Sequence, residues 1–423
     1  MTDDDSPKER ALRAIDREGT VDLLRRAVAT PSVTGGEGAI AGLLRDELEE
    51  IGLDAVELFD FVPGRPNVWG RWGGGDGGDG GEDHRLLFAG HTDTVEPFDW
   101  AERWRGTDRE DPFAGVIAED ALWGRGAADM KAGVVASVAA LKAIRRAGLR
   151  PKGEVLVAFV GDEESGVPGT GRSAGMKAIV GRIAAGEIPR PDFVVYAEPT
   201  TLDIYTAQIG FLIAEITVVG ESAYFGLPWL GVDALKGAHR LLARLFAYSD
   251  ELWARADHPL LGRAFALVTA IEGGGPIAVP ETCRLSLIRK ILPGETVEAA
   301  RSEIEGIVGL FAMNEGVRAE TAFPAGRDSR SGGRPSEVPA ATPGVAHLER
   351  AVRAETGKRG VIKGAPFWAE ASFFVHDLGI PAVYCGPGDI AECHTARERV
   401  EIEELIDAVR VYVSLIVDEC GVE

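Results

Sequence analysis

The sequence predicts an α/β protein built on a mainly parallel sheet, with a ferredoxin-like α+β domain inserted into it. Three observations carry this. Short apolar runs alternate with helical stretches through the first 204 residues and again near the end. A separate β-α-β-β-α-β order fills the middle. Imidazole- and carboxylate-bearing residues fall just past the ends of the apolar runs, where ligands bind in open α/β sheets.

Residues 8–28 and 37–51 carry apolar positions at helical spacing and read as amphipathic helices. LLF (86–88), EVLVAFV (154–160), DFVVYA (192–197) and AVYC (382–385) read as strands rich in β-branched or aromatic residues. KAGVVASVAALKAIRRAG (131–148) reads as a helix between two of them, and this alternation gives a parallel sheet. From residue 205, YTAQIGFLIAEITVVG reads as a strand and GVDALKGAHRLLARLFAYSD as a helix. FALVTAIEGG and ETCRLSLIRKIL follow as strands, PGETVEAARSEIEGIVGLF as a helix and VRAETAFPA as a last strand, completing a ferredoxin-like unit. GRDSRSGGRPSEVPAATPG (326–344) reads as an exposed linker returning to the first domain. Residues 1–204 and 326–423 thus form a discontinuous domain around an insertion at 205–325. RWGGGDGGDGGEDH (71–84) reads as a flexible loop between strands. It is not a phosphate cradle, because no Lys-Ser/Thr pair follows it.

At 423 residues the chain fits two domains, and 45% hydrophobic residues suffice for real cores. Forty-five Lys and Arg against 67 Asp and Glu leave a net charge of −22. A chain this acidic is a poor candidate for binding nucleic acid or anionic membranes. The four cysteines, Cys283, Cys385, Cys393 and Cys420, form no C-x-x-C pair and read as reduced thiols of a cytoplasmic protein. The acidic start MTDDDSPKER reads as neither signal nor transit peptide, and no apolar run reaches membrane-span length.

The chemistry lies in the strand-end motifs. GHTDT places His91 and Asp93 two apart, on one side of an extended segment, so that Asp93 can support a ligating His91. GRGAADMKAG places Asp129 just before a helix, as a ligand or an N-cap. GDEESG sets Glu163 beside Glu164, a pairing that is costly unless a cation or proton offsets it. One can bind metal while its neighbour takes a proton from water. AEPT puts Glu198 straight after a strand, and GPGDIAECHT puts His394 in a Gly/Pro-rich loop. Mixed imidazole and carboxylate donors suit zinc, manganese or cobalt.

In this order, H-x-D, G-R-G-x-x-D-M-K-x-G, D-E-E, E-P-T and G-P-G…H-T resemble the M20 metallopeptidase family, whose members include desuccinylases, deacetylases, aminoacylases and carboxypeptidases. The resemblance spans nearly the whole chain. It implies a phosphorylase/hydrolase-like catalytic domain with an inserted lid, and homo-oligomers of at least two subunits paired through that lid. By the same resemblance, Asp129 bridges two divalent metals, with His91 and Glu198 completing one site and Glu164 and His394 the other. Glu163 is then the general base and Asp93 the partner of His91. A cis peptide is implied at Asp129–Met130.

The insertion departs from that pattern. GESAYFGLP has Tyr224 where the family usually carries an oxyanion-binding His, and IAVP has Ile277 where it carries a substrate-binding Asn. RKILP has Lys290 at the position of a carboxylate-holding Arg, with Arg289 one residue earlier, and W-A-E-A has Glu370 in place of Asp. Loss of an oxyanion donor weakens amide hydrolysis. Ile277, Phe367 and Trp368 suit a flat apolar or aromatic substrate, and Arg289 or Lys290 can hold its carboxylate. Tyr224 or Arg289 can hold a nitro group. These departures resemble an outlying branch of the family, the 5-nitroanthranilate aminohydrolases. There, water activated beside Glu163 replaces the aromatic amino group, giving 5-nitrosalicylate and ammonia. Hydrolysis of an N-acyl amino acid or small peptide is the alternative. A silent binding or assembly protein is a third reading, opposed by retention of Glu163 and all five ligand positions.

Overall fold

A computed structural model describes residues 6–74, 84–164, 169–255, 257–315, 317–357 and 359–423. The glycine-rich run falls mostly at 75–83, outside the described residues. The chain divides into two compact units: Met1–Thr206 with Val338–Lys363 and Glu370–Glu423, and Ala207–Glu337 with Gly364–Ala369.

The first unit is built on a mixed sheet. Its strands are β1 (Ala55–Val62), β2 (Arg65–Gly73), β3 (Arg85–His91), β4 (Glu154–Val160) and β5 (Phe193–Tyr196). The order is β1-β2-β4-β3-β5, followed by Ala382–Tyr384 and then Ile204–Gln208. The centre is parallel: β3 pairs with β4 and β5, and Ala382–Tyr384 with β5. β1 and β2 add antiparallel strands at the edge. Every residue of β4 and β5 is buried, as expected for strands covered on both faces. His91 pairs with Val160 in register, so the carboxyl ends of β3 and β4 lie level.

Helix α1 (Pro7–Arg13) and helix α2 (Arg17–Val28) replace the single expected helix over 8–28. The break comes at Asp16, whose carboxylate accepts the Gly19 N–H at 2.9 Å and starts a new helix. Helix α3 (Gly38–Ile51) agrees with its apolar periodicity. Helix α4 (Ala132–Arg146) runs from the Asp129 turn, and Ile402–Cys420 packs along it. Gly133 is required at the start of α4, because a Cβ there would run into the Ala197 carbonyl. This close approach brings Asp129 beside the exit of β5, where Glu198 stands.

The second unit has the expected β-α-β-β-α-β order: Gly210–Val219, Ala234–Trp253, Phe265–Gly273, Thr282–Ile291, Val297–Glu315 and Arg318–Ala322. Its strands are antiparallel, with Phe265–Gly273 at one edge and Arg318–Ala322 at the other. Leu212, Ile216, Leu241, Leu245, Leu285, Leu287, Ile304 and Phe311 form its core. Two expectations are corrected here. The single strand expected at 205–220 breaks at Ile209, and its first part joins the mixed sheet by antiparallel pairing with Ala382–Tyr384. The linker at 326–344 is not simply exposed: Gly332–Gly333 pair with Leu212 and Phe211, and Ser331 and Ser336 are buried. Glycine lets backbone approach where a side chain would clash; a Cβ at Gly332 would strike the Phe211 carbonyl.

All four cysteines are unpaired, and three are buried. Among the described residues no helix is long and apolar enough to cross a membrane.

Candidate metal centre

The first unit draws five strand-end and loop residues into two groups that share one carboxylate. Asp129 Oδ1 lies 3.0 Å from His91 Nε2, and its Oδ2 lies 3.2 Å from His394 Nε2. Glu198 Oε1 stands 3.8 Å from His91 Nε2 and Glu164 Oε1 stands 2.8 Å from His394 Nε2. Within His91–Asp129–Glu198 and within Asp129–Glu164–His394, all donor atoms lie within 4.8 Å of one another. A third set of the same span, His91–Glu163–Glu164, places Glu163 against the same centre. Each oxygen of Asp129 therefore faces a different imidazole, as a carboxylate shared between two ions requires.

Local structure accounts for each position. Parallel β3 and β4 end level and deliver His91 and the Glu163–Glu164 turn to one edge. Asp129 does not cap α4. Its φ and ψ of −116° and 96° are non-helical, and the Asp129–Met130 peptide is cis. His394 has φ 58°, which few residues other than glycine adopt. Its side chain is half exposed, while those of His91, Asp129, Glu164 and Glu198 are nearly covered, so the centre opens on the His394 side.

Asp93 differs in detail from its expected role. His91 Nδ1 lies 2.9 Å from the Asp93 carbonyl oxygen and 3.8 Å from its carboxylate. The carboxylate instead accepts the N–H groups of Glu164 at 2.9 Å and Glu163 at 3.3 Å, and the Thr34 hydroxyl at 3.0 Å. β3 ends at His91, so the side chain of Asp93 is no longer in strand phase with the imidazole. Asp93 fixes the tautomer through its backbone and holds the Glu163–Glu164 turn with its side chain.

The residues expected to bind substrate fall in different places. Glu370 is fully buried and accepts the Tyr196 hydroxyl at 2.9 Å, so it braces β5 rather than contacting substrate. Arg289 is corrected likewise. Strand alternation turns it to the core face of Thr282–Ile291 with Leu285 and Leu287, where it donates to Tyr248 at 3.1 Å and Glu295 at 2.6 Å. Lys290 donates to the Leu261 carbonyl at 2.6 Å and lies over the Phe265 ring. Both cations are thus engaged within the second unit, not held out for a carboxylate or nitro group. Tyr224 and Ile277 come together there, because Tyr224 bridges to Ala278, and both are exposed. Phe367 and Trp368 are half-buried in the same unit, Trp368 meeting the Phe211 ring edge-on at 5.8 Å. Sequence reasoning missed Thr34 and Tyr196. A hydroxyl that braces a carboxylate has no periodic signature.

The electrostatics ask for cations. Burial raises Glu163 and Glu198 well above the usual carboxylate value, neighbouring carboxylates add repulsion, and His91 offsets only part. Burial alone would lower His91, yet Asp129 and Glu198 outweigh it and hold its pKa well above normal. Hydrogen bonds to Asp129 and Glu164 raise His394 to about 11. Asp129 is lowered despite burial, because both imidazoles favour its ionised form. Carboxylate and imidazole donors in two compact sets fit divalent transition metals, which replace the shared protons as the compensating charge. Groups with raised pKa keep protons near neutrality, so ion uptake must expel them. We expect up to about three protons, from His91, Glu198 and His394, to be released per protein at pH 7, and affinity to rise with pH. Titration calorimetry in buffers of different ionisation enthalpy reads this number directly. Asp93 and Glu370, each pushed up to about 7 by burial, act with the same sign on the ion-free fold. Their stabilisation is complete below their ordinary values and is lost as pH rises through 7.

Comparison with known proteins agrees with this geometry. Residues 87–418 match the model of peptidase family M20/M25/M40. The chain is 32% identical over 414 residues to succinyl-diaminopimelate desuccinylase of Gluconobacter oxydans (strain 621H), covering 93% of this chain and 94% of that one. It is 26% identical over 421 residues to N-formyl-4-amino-5-aminomethyl-2-methylpyrimidine deformylase of Bacillus subtilis (strain 168), covering 94% and 93%. The solved structure of the M20 family metallo-carboxypeptidase Sso-CP2 from Sulfolobus solfataricus has the same fold, with a TM-score of 0.73 at 16% identity over 94% of this chain and 98% of that one. The chain belongs to peptidase family M20/M25/M40.

Proposed function

We propose that this protein is a divalent-metal-dependent amidohydrolase that removes the acyl group from an N-acyl amino acid or cleaves a small peptide. The observation that carries this reading is the pair of donor sets sharing Asp129, with Glu163 against them. The desuccinylase and deformylase named above support an amide bond as the target.

His91, Asp129 and Glu198 would hold one ion, and Asp129, Glu164 and His394 the second. When bound, such ions supply Lewis acidity toward water and the scissile carbonyl. Glu163 takes the proton of the attacking water and passes it to the leaving amine nitrogen, for which a raised pKa is suited. Asp93 and Thr34 hold Glu163 in place through its backbone turn. Tyr224 occupies the sequence position at which the resemblance implies an oxyanion-binding His, and its hydroxyl is the donor we assign to that role. The protein acts as a homo-oligomer paired through the inserted unit, whose edge strand exposes Leu267 and Ile271.

A second reading, replacement of the amino group of 5-nitroanthranilate, rests on Tyr224 and Ile277 at positions rewritten from the family pattern. Its charged anchor is weakened by the inward placement of Arg289. Purified protein with Mn²⁺, Co²⁺ or Zn²⁺ should release free amine from a panel of N-succinyl, N-acetyl and N-formyl substrates and fail when chelated. Ammonia from 5-nitroanthranilate without turnover of the acyl panel would reverse the preference.

A further inference from the structure

We propose that Glu398, paired with Arg125, is the positioning residue that presets the bridging carboxylate for both ions. Its carboxylate is fully buried behind Asp129. Oε1 accepts the N–H groups of Ala128 and Asp129, both at 3.1 Å, and Oε2 pairs with Arg125 Nη1. The backbone adds a further tie, since Gly124 N–H donates to the Glu398 carbonyl at 3.2 Å. The segment 124–129 is therefore wrapped around one side chain.

This arrangement answers a need of the turn. Asp129 is non-helical, so buried N–H groups at 128 and 129 need an acceptor outside the helix. Glu398 supplies it from only four residues beyond His394. The same loop is tied elsewhere: Trp104 Nε1 donates to the Ala396 carbonyl at 2.6 Å, and Glu392 pairs with Arg397 and Arg399. His394 and Asp129, two donors of one set, thus have their spacing fixed through Glu398. A second carboxylate behind the bridging one is unfavourable by itself, and Arg125 offsets it. Because Asp129 belongs to both donor sets, a fault in its position weakens both.

The inference rests on the metal reading above, and its test separates the two. Metal-stripped full-length wild type, Glu398→Gln and Glu398→Ala are titrated calorimetrically with Zn²⁺, Mn²⁺ or Co²⁺, with circular dichroism showing that each apoprotein is folded. Glu398→Gln keeps one oxygen acceptor but loses the charge pair, and should bind about 10-fold more weakly. Glu398→Ala should approach 100-fold. Both binding events should weaken together, while kcat at saturating metal changes far less. A merely structural role predicts a lower apoprotein Tm with unchanged metal affinity, and that result overturns the proposal. If Glu398→Ala does not fold, Glu398→Gln and Arg125→Lys decide in the same assay. Wild type that takes up no ion overturns the metal reading itself. Wild type that binds normally beside two undiminished variants overturns only the role of Glu398.

Discussion

Glu163→Gln is expected to take up metal as the wild type does and to lose about 10²- to 10⁴-fold in kcat, the usual contribution of a positioned acid–base group. Glu163 belongs to neither of the two donor sets that share Asp129, yet it lies within the same small span as His91 and Glu164. Glutamine keeps the shape and the backbone bonds to Asp93 but can neither accept nor return a proton. KM should change little, because the lost interaction is made in the transition state. Metal content by mass spectrometry and steady-state kinetics on an N-acyl amino acid check both halves. Full turnover would show that another group is the base, and lost metal would show that Glu163 is a ligand.

Asp129→Ala should have the largest effect on metal content. Each oxygen of Asp129 addresses a different imidazole, so its removal takes a donor from both sets at once. What remains is His91 with Glu198 and Glu164 with His394, two donors each. Neither pair meets the three protein ligands usual for a catalytic ion. Ion uptake at both positions should fall together, with turnover undetectable. His394→Ala, by contrast, should spare the His91 side. Equilibrium dialysis of the two variants side by side makes the comparison. Retention of one tightly bound ion by Asp129→Ala would contradict the bridging role.

Much of this is legible in the sequence. The central strands are short, continuous apolar runs; His91 ends one of them, and Glu163, Glu164 and Glu198 follow the ends of the others. The ferredoxin-like order could be read because its helices and strands have distinct periods. The antiparallel edge pair Ala55–Val62 and Arg65–Gly73 was less visible, since the first is only half-buried and lacks clear alternation.

The misplacements share a cause, which is that one-dimensional spacing does not fix side-chain direction. The pattern RKILP points to Lys290, with Arg289 one residue earlier, whereas strand phase turns Arg289 to the core. Asp93 was assigned by the two-residue repeat of a strand that ends at His91. Glu398 gave no signal because its partners, Ala128 and Asp129, are backbone groups 270 and 269 residues away.

The central claim is that water activated at this centre attacks an acyl carbon. Turnover of an N-acyl amino acid in ¹⁸O-labelled water, with metal present, tests it most directly. Mass spectrometry should find one ¹⁸O in the released carboxylate and none in the free amine product. Label in an aromatic hydroxyl with release of ammonia, or no turnover of any acyl substrate with any of the three metals, would contradict it.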